Sequence, residues 1–327
     1  MPAKIHAPTP TNLRRLAAVL RRGGLVAIPT ETVYGLAAHA LDARACRAIF
    51  RAKGRPANDP LIVHVLGLAQ AEELAEFNDA ARLLTRAFWP GPLTLVLPKK
   101  PVVPGIVTSG GATVALRAPA HPLARRLLRL AGVPLAAPSA NPFSYISPTT
   151  AAHVQQGLGA RIAHILDGGD CAIGVESTVV DLTTPARPRV LRPGAISAAQ
   201  LARVLGRPVV TRRRAAPPGT TLSAPGLLEK HYSPRTPLHR MVHPGKPAAG
   251  TAVIRLRQPA GPMLPAVYWL SRRGSLSEIA RNLYRVLRQA DAGGHRRIVI
   301  EPLPPTAGGL AAAINDRIGR AAAKRPA

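Results

Sequence analysis

The stretch "KGRPANDPLIVHV", Lys53 to Val65, joins two kinds of element across one turn. Upstream, "DARACRAIFRAKG" reads as a helix opened by Asp42 and closed at Gly54. Downstream, "LIVHV" is a short apolar run bounded by turn residues, the pattern of a buried strand. Pro56 and Pro60 stiffen the connection, which carries Lys53, Arg55 and Asp59 and leads to His64. The cations allow two readings. One is a solvated link between helix and strand. The other is a wall of an anion site, where an Arg fork and a Lys point charge converge on phosphate oxygens.

The same mixture continues outward. "TNLRRLAAVLRRGG" has Thr11 or Asn12 as a helix cap and Gly23-Gly24 as a stop, and "LVAIP" follows as a strand. "AQAEELAEF", "NDAARLLTRAFW", "HPLARRLLRLAG" and "TTAAHVQQGLG" have helical spacing. "LTLVLP", "TVALRAP", "PLAAPSA", "RIAHILD", "STVVDL" and "RVLRPG" are candidate strands. Strict β-α alternation is absent, so the expected class is α/β (α+β) on a mixed, twisted sheet. From Arg207 to Pro237 the chain turns rich in Pro, Gly and Arg, the composition of a linker. Beyond it, "TAVIRL", "AVYWL", "SLSEIARNLYRVLRQADAGG", "RIVIEPLP" and "GGLAAAINDRIGRAAAK" form a β-α pattern suited to a small Rossmann-like unit. The expected division is a main domain over 1–206, a linker over 207–237 and a small domain over 238–327.

Composition bounds the function. The 327 residues are 46% hydrophobic and 18% charged, as expected of globular domains with real cores. No apolar run approaches the length of a membrane span, and the first residues lack a signal peptide's apolar stretch, so a soluble cytoplasmic protein is expected. Cys46 and Cys171 are isolated, against a disulfide framework or a zinc cluster. Net charge is +28, of which +15 falls in the 119 residues after Pro208. Arginine, alanine and proline are all abundant, so codon bias on a solvated surface is one reading of the charge. A partner rich in phosphate, nucleic acid or nucleotide, is the other.

The familiar nucleotide loops, GxxxxGK[ST] and GxGxxG, are missing. Polar clusters stand at strand ends instead. "IPTETVYGLA" packs Thr30, Glu31, Thr32 and Tyr34 before Gly35; "TVALRAPAHP" puts Arg117 on an apolar strand; "PLAAPSANPFSYISPTT" presents Ser139, Asn141, Ser147 and Thr149. "GVESTVVDL" gives Glu176, Ser177 and Thr178, and "VLRPG" gives Arg192. Hydroxyls at a strand end often only cap the next helix. Five clusters of hydroxyls and guanidiniums point to one concave polar face for a small anionic ligand. Ser139 lacks the G-x-S-x-G context of a nucleophile.

Taken in order and spacing, "PTETVYGLA", "KGRPANDPLIVHV", "FWPGPLTLVL", "TVALRAPAHP", "APSAN", "GVESTVVDL" and "LRPG" resemble the YrdC-type threonylcarbamoyl-AMP synthases. "APGLLEKHYSPRTPL" and the tail resemble the longer, two-domain members. The resemblance implies a nucleotidyltransferase that condenses L-threonine, bicarbonate or CO2 and ATP into threonylcarbamoyl-AMP and pyrophosphate. The product serves threonylcarbamoyladenosine modification of tRNA beside the anticodon. It implies a YrdC-like sheet around a concave cationic cavity, Mg2+ with the ATP, and no protein metal site. Carried over, Lys53 and Arg55 are catalytic. L-Threonine falls to Thr32, His64, Arg117, Ser139 and Ser177. ATP falls to Arg55, Asp59, Thr113, Asn141, Ser147, Thr149, Arg192 and Tyr232, with Lys53 near the phosphates and the segment around Tyr232 a lid. Asp59 departs from the Asn expected in many relatives, and an acid there opposes direct phosphate contact unless Mg2+ bridges the two. Implied partners are a threonylcarbamoyl-transferase complex that receives the product and a weak tRNA or double-stranded RNA contact, without a membrane. A non-catalytic RNA binder is the rival reading, but it has no need of Thr32, His64, Arg117 and Ser177 together. A carbamoyl transferase of the hydrogenase-maturation type would need zinc-finger cysteines that this chain lacks.

Overall fold

The computed structural model describes residues 2–211, 231–241, 248–260, 264–304 and 309–323. Part of the expected linker, 212–230, lies outside them. In chain order the first unit runs β1 (Lys4–His6), α1 (Pro10–Arg21), β2 (Val26–Ile28), β3 (Gly35–His39), α2 (Ala43–Lys53), β4 (Ile62–His64), α3 (Leu68–Glu72) and α4 (Asp79–Phe88). It continues with β5 (Leu93–Pro98), β6 (Thr113–Arg117), α5 (Pro122–Ala131), β7 (Leu135–Ala136), α6 (Ala151–Leu158), β8 (His164–Leu166), β9 (Thr178–Asp181), β10 (Arg189–Arg192), α7 (Ala198–Leu205) and β11 (Val210–Thr211). The second unit is β12 (Leu238–Arg240), β13 (Thr251–Arg257), β14 (Val267–Ser271), α8 (Leu276–Ala292), β15 (Arg297–Ile300) and α9 (Leu310–Ala321).

The first eleven strands form one mixed sheet in the order β1-β8-β2-β3-β7-β4-β6-β5-β9-β10-β11. Because β11 pairs with β10, this sheet extends to Thr211, inside the stretch whose composition reads as linker. The second sheet, β12-β15-β13-β14, is parallel throughout, in keeping with the expected small β-α unit.

The capping chemistry follows the sequence closely. Asp42 accepts the N–H groups of Arg44 and Ala45 to start α2, and Gly54 ends it at φ 64°. In α1 the cap is Thr9, because Pro10 fits the first helical turn, where its missing N–H costs nothing. Strand β3 was not legible: Leu36, Ala37 and Ala38 are all buried, so no two-residue alternation shows. The expected helix "AQAEELAEF" is only the short α3, and "PLAAPSA" only the two-residue β7.

Burial explains where the site falls. On one face of the first sheet, α2, α4, α6 and α7 cover a core that includes Ile49, Leu84, Val154 and Leu201. On the other face α1 and α5 pack with Val26, Ile28, Leu135 and Leu166, covering the part built from β8, β2 and β7. The rest of that second face carries a separate small apolar cluster of Ile62, Val96, Ala115, Val179 and Leu191. Polar groups gather at the ends of those strands.

Candidate active site

Register brings the first polar pair together. Strands β4 and β6 run parallel with Ile62 opposite Ala115 and His64 opposite Arg117, so both polar side chains leave the same face. Arg117 is a buried hub. Its Nε donates to the Gly91 carbonyl at 3.2 Å and one terminal nitrogen donates to Thr32 Oγ1 at 2.8 Å. The other lies 2.6 Å from Glu31 but is not aligned for a hydrogen bond to it. The turn after β2 is pre-shaped: Thr30 Oγ1 accepts the N–H groups of Thr32 and Val33, and donates to the Val33 carbonyl.

The turn after α2 is braced in the same way. Arg55 donates to the Asp59 and Pro60 carbonyls at 3.0 and 2.7 Å and pairs with the Asp59 carboxylate at 2.9 Å. Lys53 Nζ donates to the carbonyls of Ser139 and Asn141 at 2.5 and 2.6 Å, tying the end of α2 to the loop after β7. Across the site, Ser177 Oγ shares a hydrogen bond with Thr94 at 2.7 Å and accepts one from Arg192 at 3.1 Å.

These walls enclose about 40 Å³ of open space, bounded among others by Thr32, Arg55, His64, Arg117, Ser139, Ser177, Arg192 and Tyr232. Charge states follow from burial. Desolvation, then the nearby Arg117, pushes His64 down to about 3, so it is a neutral imidazole at physiological pH, and its Nδ1 has no partner. Burial works against the Glu176 carboxyl too, but Arg317, then Arg192 and the Ser147 hydrogen bond, outweigh it and hold it at about 2. Burial, then Arg55, lowers Lys53 well below the ordinary lysine range. Glu31 is opposed by burial but held low by Arg117. The result is a desolvated pocket with fixed guanidiniums, ionised Glu176 and Glu31, and neutral histidines.

Comparison with known proteins identifies this arrangement. A family model described as "telomere recombination" (the Sua5/YciO/YrdC group) matches residues 18–194, and one described as "threonylcarbamoyl-AMP synthase, C-terminal domain" matches 196–323. A threonylcarbamoyl-AMP synthase of Pyrococcus abyssi is 40% identical over 326 residues, covering 96% of this chain and 94% of its own. The chain belongs to the threonylcarbamoyl-AMP synthase family. A Bacillus subtilis member is also 40% identical, over 96% of this chain and 93% of its own. A crystal structure of a P. abyssi protein complexed with L-threonine superimposes with a TM-score of 0.89 at 38% identity, covering 98% of each chain.

Within this synthase fold the expected site residues separate into two shells. Thr32, Arg55, His64, Arg117, Ser139, Ser177, Arg192 and Tyr232 bound the cavity. Lys53, Asp59, Asn141, Ser147 and Thr149 are buried behind that boundary: Ser147 donates to Glu176 at 2.6 Å, and Thr149 contacts His153 at 3.3 Å. Thr113 stands at the far end of β6 from Arg117, on the same face by strand alternation. Sequence reasoning missed His231, which also bounds the cavity and is kept neutral chiefly by burial. It also missed Tyr284 and Arg317, which reach Glu176 from the second unit. One signal was present: Ile314, Arg317, Ile318 and Ala321 share a helical stripe, and a cation on an otherwise apolar stripe has to find a buried partner.

Proposed function

We infer that the chain is an L-threonylcarbamoyladenylate synthase, condensing L-threonine, bicarbonate or CO2 and ATP into threonylcarbamoyl-AMP and pyrophosphate for tRNA modification. The observation that carries this reading is the conjunction of Arg117, Thr32, the neutral His64 and Ser177 around one desolvated space in a chain similar to these synthases over nearly its whole length. The unaligned nitrogen of Arg117 pairs with the threonine carboxylate, and Thr32 and Ser177 take its hydroxyl. His64, unprotonated, accepts a hydrogen bond from the amino group. The free amine attacks CO2 to give the carbamate and releases a proton. A carbamate oxygen then attacks the α-phosphorus of ATP, and the bond to pyrophosphate breaks.

Arg55 and Arg192 neutralise charge on the phosphates, and positioning with electrostatic stabilisation supplies most of the acceleration. Lys53 acts from behind, by fixing the loop that presents Ser139. Carbamate and mixed anhydride both hydrolyse readily, so a desolvated site protects them. Mg2+ enters as part of the nucleotide substrate, held chiefly by its phosphate oxygens. The labile product passes to a threonylcarbamoyl-transferase complex, and any tRNA contact is weak. Among the described residues no helix is long and apolar enough to cross a membrane.

The test supplies bicarbonate, ATP and Mg2+ with and without L-threonine. Threonine-dependent pyrophosphate release, with an AMP adduct carrying threonine and one carbonate-derived carbon, is expected. Pyrophosphate release indifferent to threonine would overturn the reading.

A further inference from the structure

The chemistry above makes no use of the second sheet, yet two of its helices reach the cavity wall. Glu176 bounds the cavity from the first unit and is fully ionised. Its carboxylate accepts from Ser147 at 2.6 Å, from the Tyr284 hydroxyl at 2.9 and 3.1 Å, and from Arg317 Nε at 2.7 Å. Tyr284 belongs to α8 and Arg317 to α9. Arg317 is 1% exposed and also donates to the Pro193 carbonyl at 2.9 Å, beside the Arg192 end of β10. A buried arginine is costly unless every donor is used, and an apolar side chain would fill an ordinary domain interface with less penalty.

The same pair holds Tyr232. The Arg317 guanidinium lies 5.1 Å from the Tyr232 ring centre, and Tyr284 stacks on that ring at 5.9 Å. Tyr232 has φ 63°, a left-handed backbone that a bulky residue adopts only where its surroundings impose it. Its hydroxyl is buried without a hydrogen-bond partner, while the residue bounds the cavity. An unused donor in that place is available to a ligand.

We propose that Arg317 and Tyr284 are positioning residues for the nucleotide: by clamping Glu176 and Tyr232, the second domain completes the ATP end of the cavity. The proposal rests on the synthase reading for the identity of the nucleotide. Arg317 and Tyr284 touch no substrate. They act through the placement of Tyr232 and through Glu176, whose fixed negative charge lies beside Arg192.

The test uses full-length protein and compares Arg317→Met, Arg317→Lys, Tyr284→Phe, Glu176→Gln and the double variant Arg317→Met with Glu176→Gln. ATP and threonine affinities are measured separately by calorimetry, and KM for each in the pyrophosphate assay. Arg317→Met is expected to weaken ATP about tenfold, the size of one charge-assisted hydrogen bond, and to leave threonine affinity near the wild-type value. Tyr284→Phe moves ATP in the same direction by less, and Arg317→Lys recovers part of the loss. Adding Glu176→Gln to Arg317→Met recovers only part of the ATP affinity: the carboxylate stranded by the first change is gone, but Tyr232 still lacks its guanidinium.

A pH profile supplies an independent signature. The groups facing Glu176 are Arg317, Tyr284, Arg192, Ser147, Tyr232 and His231, and burial keeps His231 neutral. Without Arg317, the carboxyl loses its strongest cation and its pKa rises. ATP binding by Arg317→Met, relative to wild type at the same pH, therefore improves as pH falls toward that raised pKa. Should Arg317→Met lose threonine binding as well, its fold is compromised and Tyr284→Phe decides. Unchanged ATP affinity in Tyr284→Phe, or in a threonine-binding Arg317→Met, would overturn the proposal. Wild type that releases no pyrophosphate with threonine sinks the synthase reading instead, and the calorimetric ATP comparison still judges the clamp.

Discussion

Asp59 holds the least comfortable charge in the site. Its side chain is fully buried, its pairing with Arg55 at 2.9 Å lacks hydrogen-bond alignment, and neither carboxylate oxygen has another partner. Burial pushes its pKa up; Arg55, Lys53 and Arg192 pull it back without cancelling the rise. The native state therefore binds this proton more tightly than the unfolded chain, whose aspartates titrate near ~3.9. Stability from this group is present below that value and falls as pH rises through the native pKa. Asp59→Asn removes the titration, so the variant's melting temperature relative to wild type should climb as pH rises above about 4. A relative melting temperature that fell over that range would mean the Arg55 pair wins after all. Arg117 is the converse case, since one plane serves Thr32, Gly91 and Glu31 together. Arg117→Lys keeps the charge and loses the fork, so calorimetric threonine affinity should drop by about tenfold or more.

At the scale of elements, the α2-to-β4 connection works because its two ends are tied to different neighbours. Lys53 closes α2 and reaches the loop after β7, and Arg55 folds the turn onto its own carbonyls. Burial lowers the Lys53 pKa, but even an uncharged amine has two hydrogens for two carbonyls. Lys53→Met keeps most of the volume and leaves both carbonyls bare. A loss of about 1–3 kcal/mol in unfolding free energy is expected, together with reduced threonine affinity through Ser139. Unchanged affinity would show that the loop holds its shape unaided. What the sequence disclosed here was local chemistry: the Asp42 cap, the Gly54 stop, the prolines and the strand-end hydroxyls. What it concealed was either too short or too uniformly buried to carry a period, as in β1, β3 and the two-residue β11. The clamp on Glu176 was hidden for another reason. Its cation lies 141 residues away in the chain, and no local pattern records such a distance.

At the scale of the whole molecule, the two sheets share a core. Val33, Ile146 and Val175 of the first unit pack in one cluster with Tyr232, Ile279, Leu283 and Ile318. Polar contacts cross the same boundary: Arg288 donates to the Ile146 carbonyl at 2.5 Å and the Tyr145 hydroxyl to Asp291 at 2.7 Å. Units that share apolar cover lose stability together, so wild type should unfold in one calorimetric transition. Gly174 is the place to break that coupling. Its N–H donates to the Thr32 carbonyl at 3.1 Å, its φ is 83°, and a Cβ there would stand 2.4 Å from the Cα of Arg281 on α8. The obstacle is backbone, so no rotamer change relieves it, and the left-handed conformation penalises alanine as well. Gly174→Ala therefore has to push α8 away from the Thr30–Thr32 turn. The expected trace has two transitions, the second sheet melting first, with ATP affinity falling because Tyr284 and Arg317 withdraw from Glu176. A single transition at the wild-type temperature with wild-type ATP affinity would mean that the cavity is complete without the second domain.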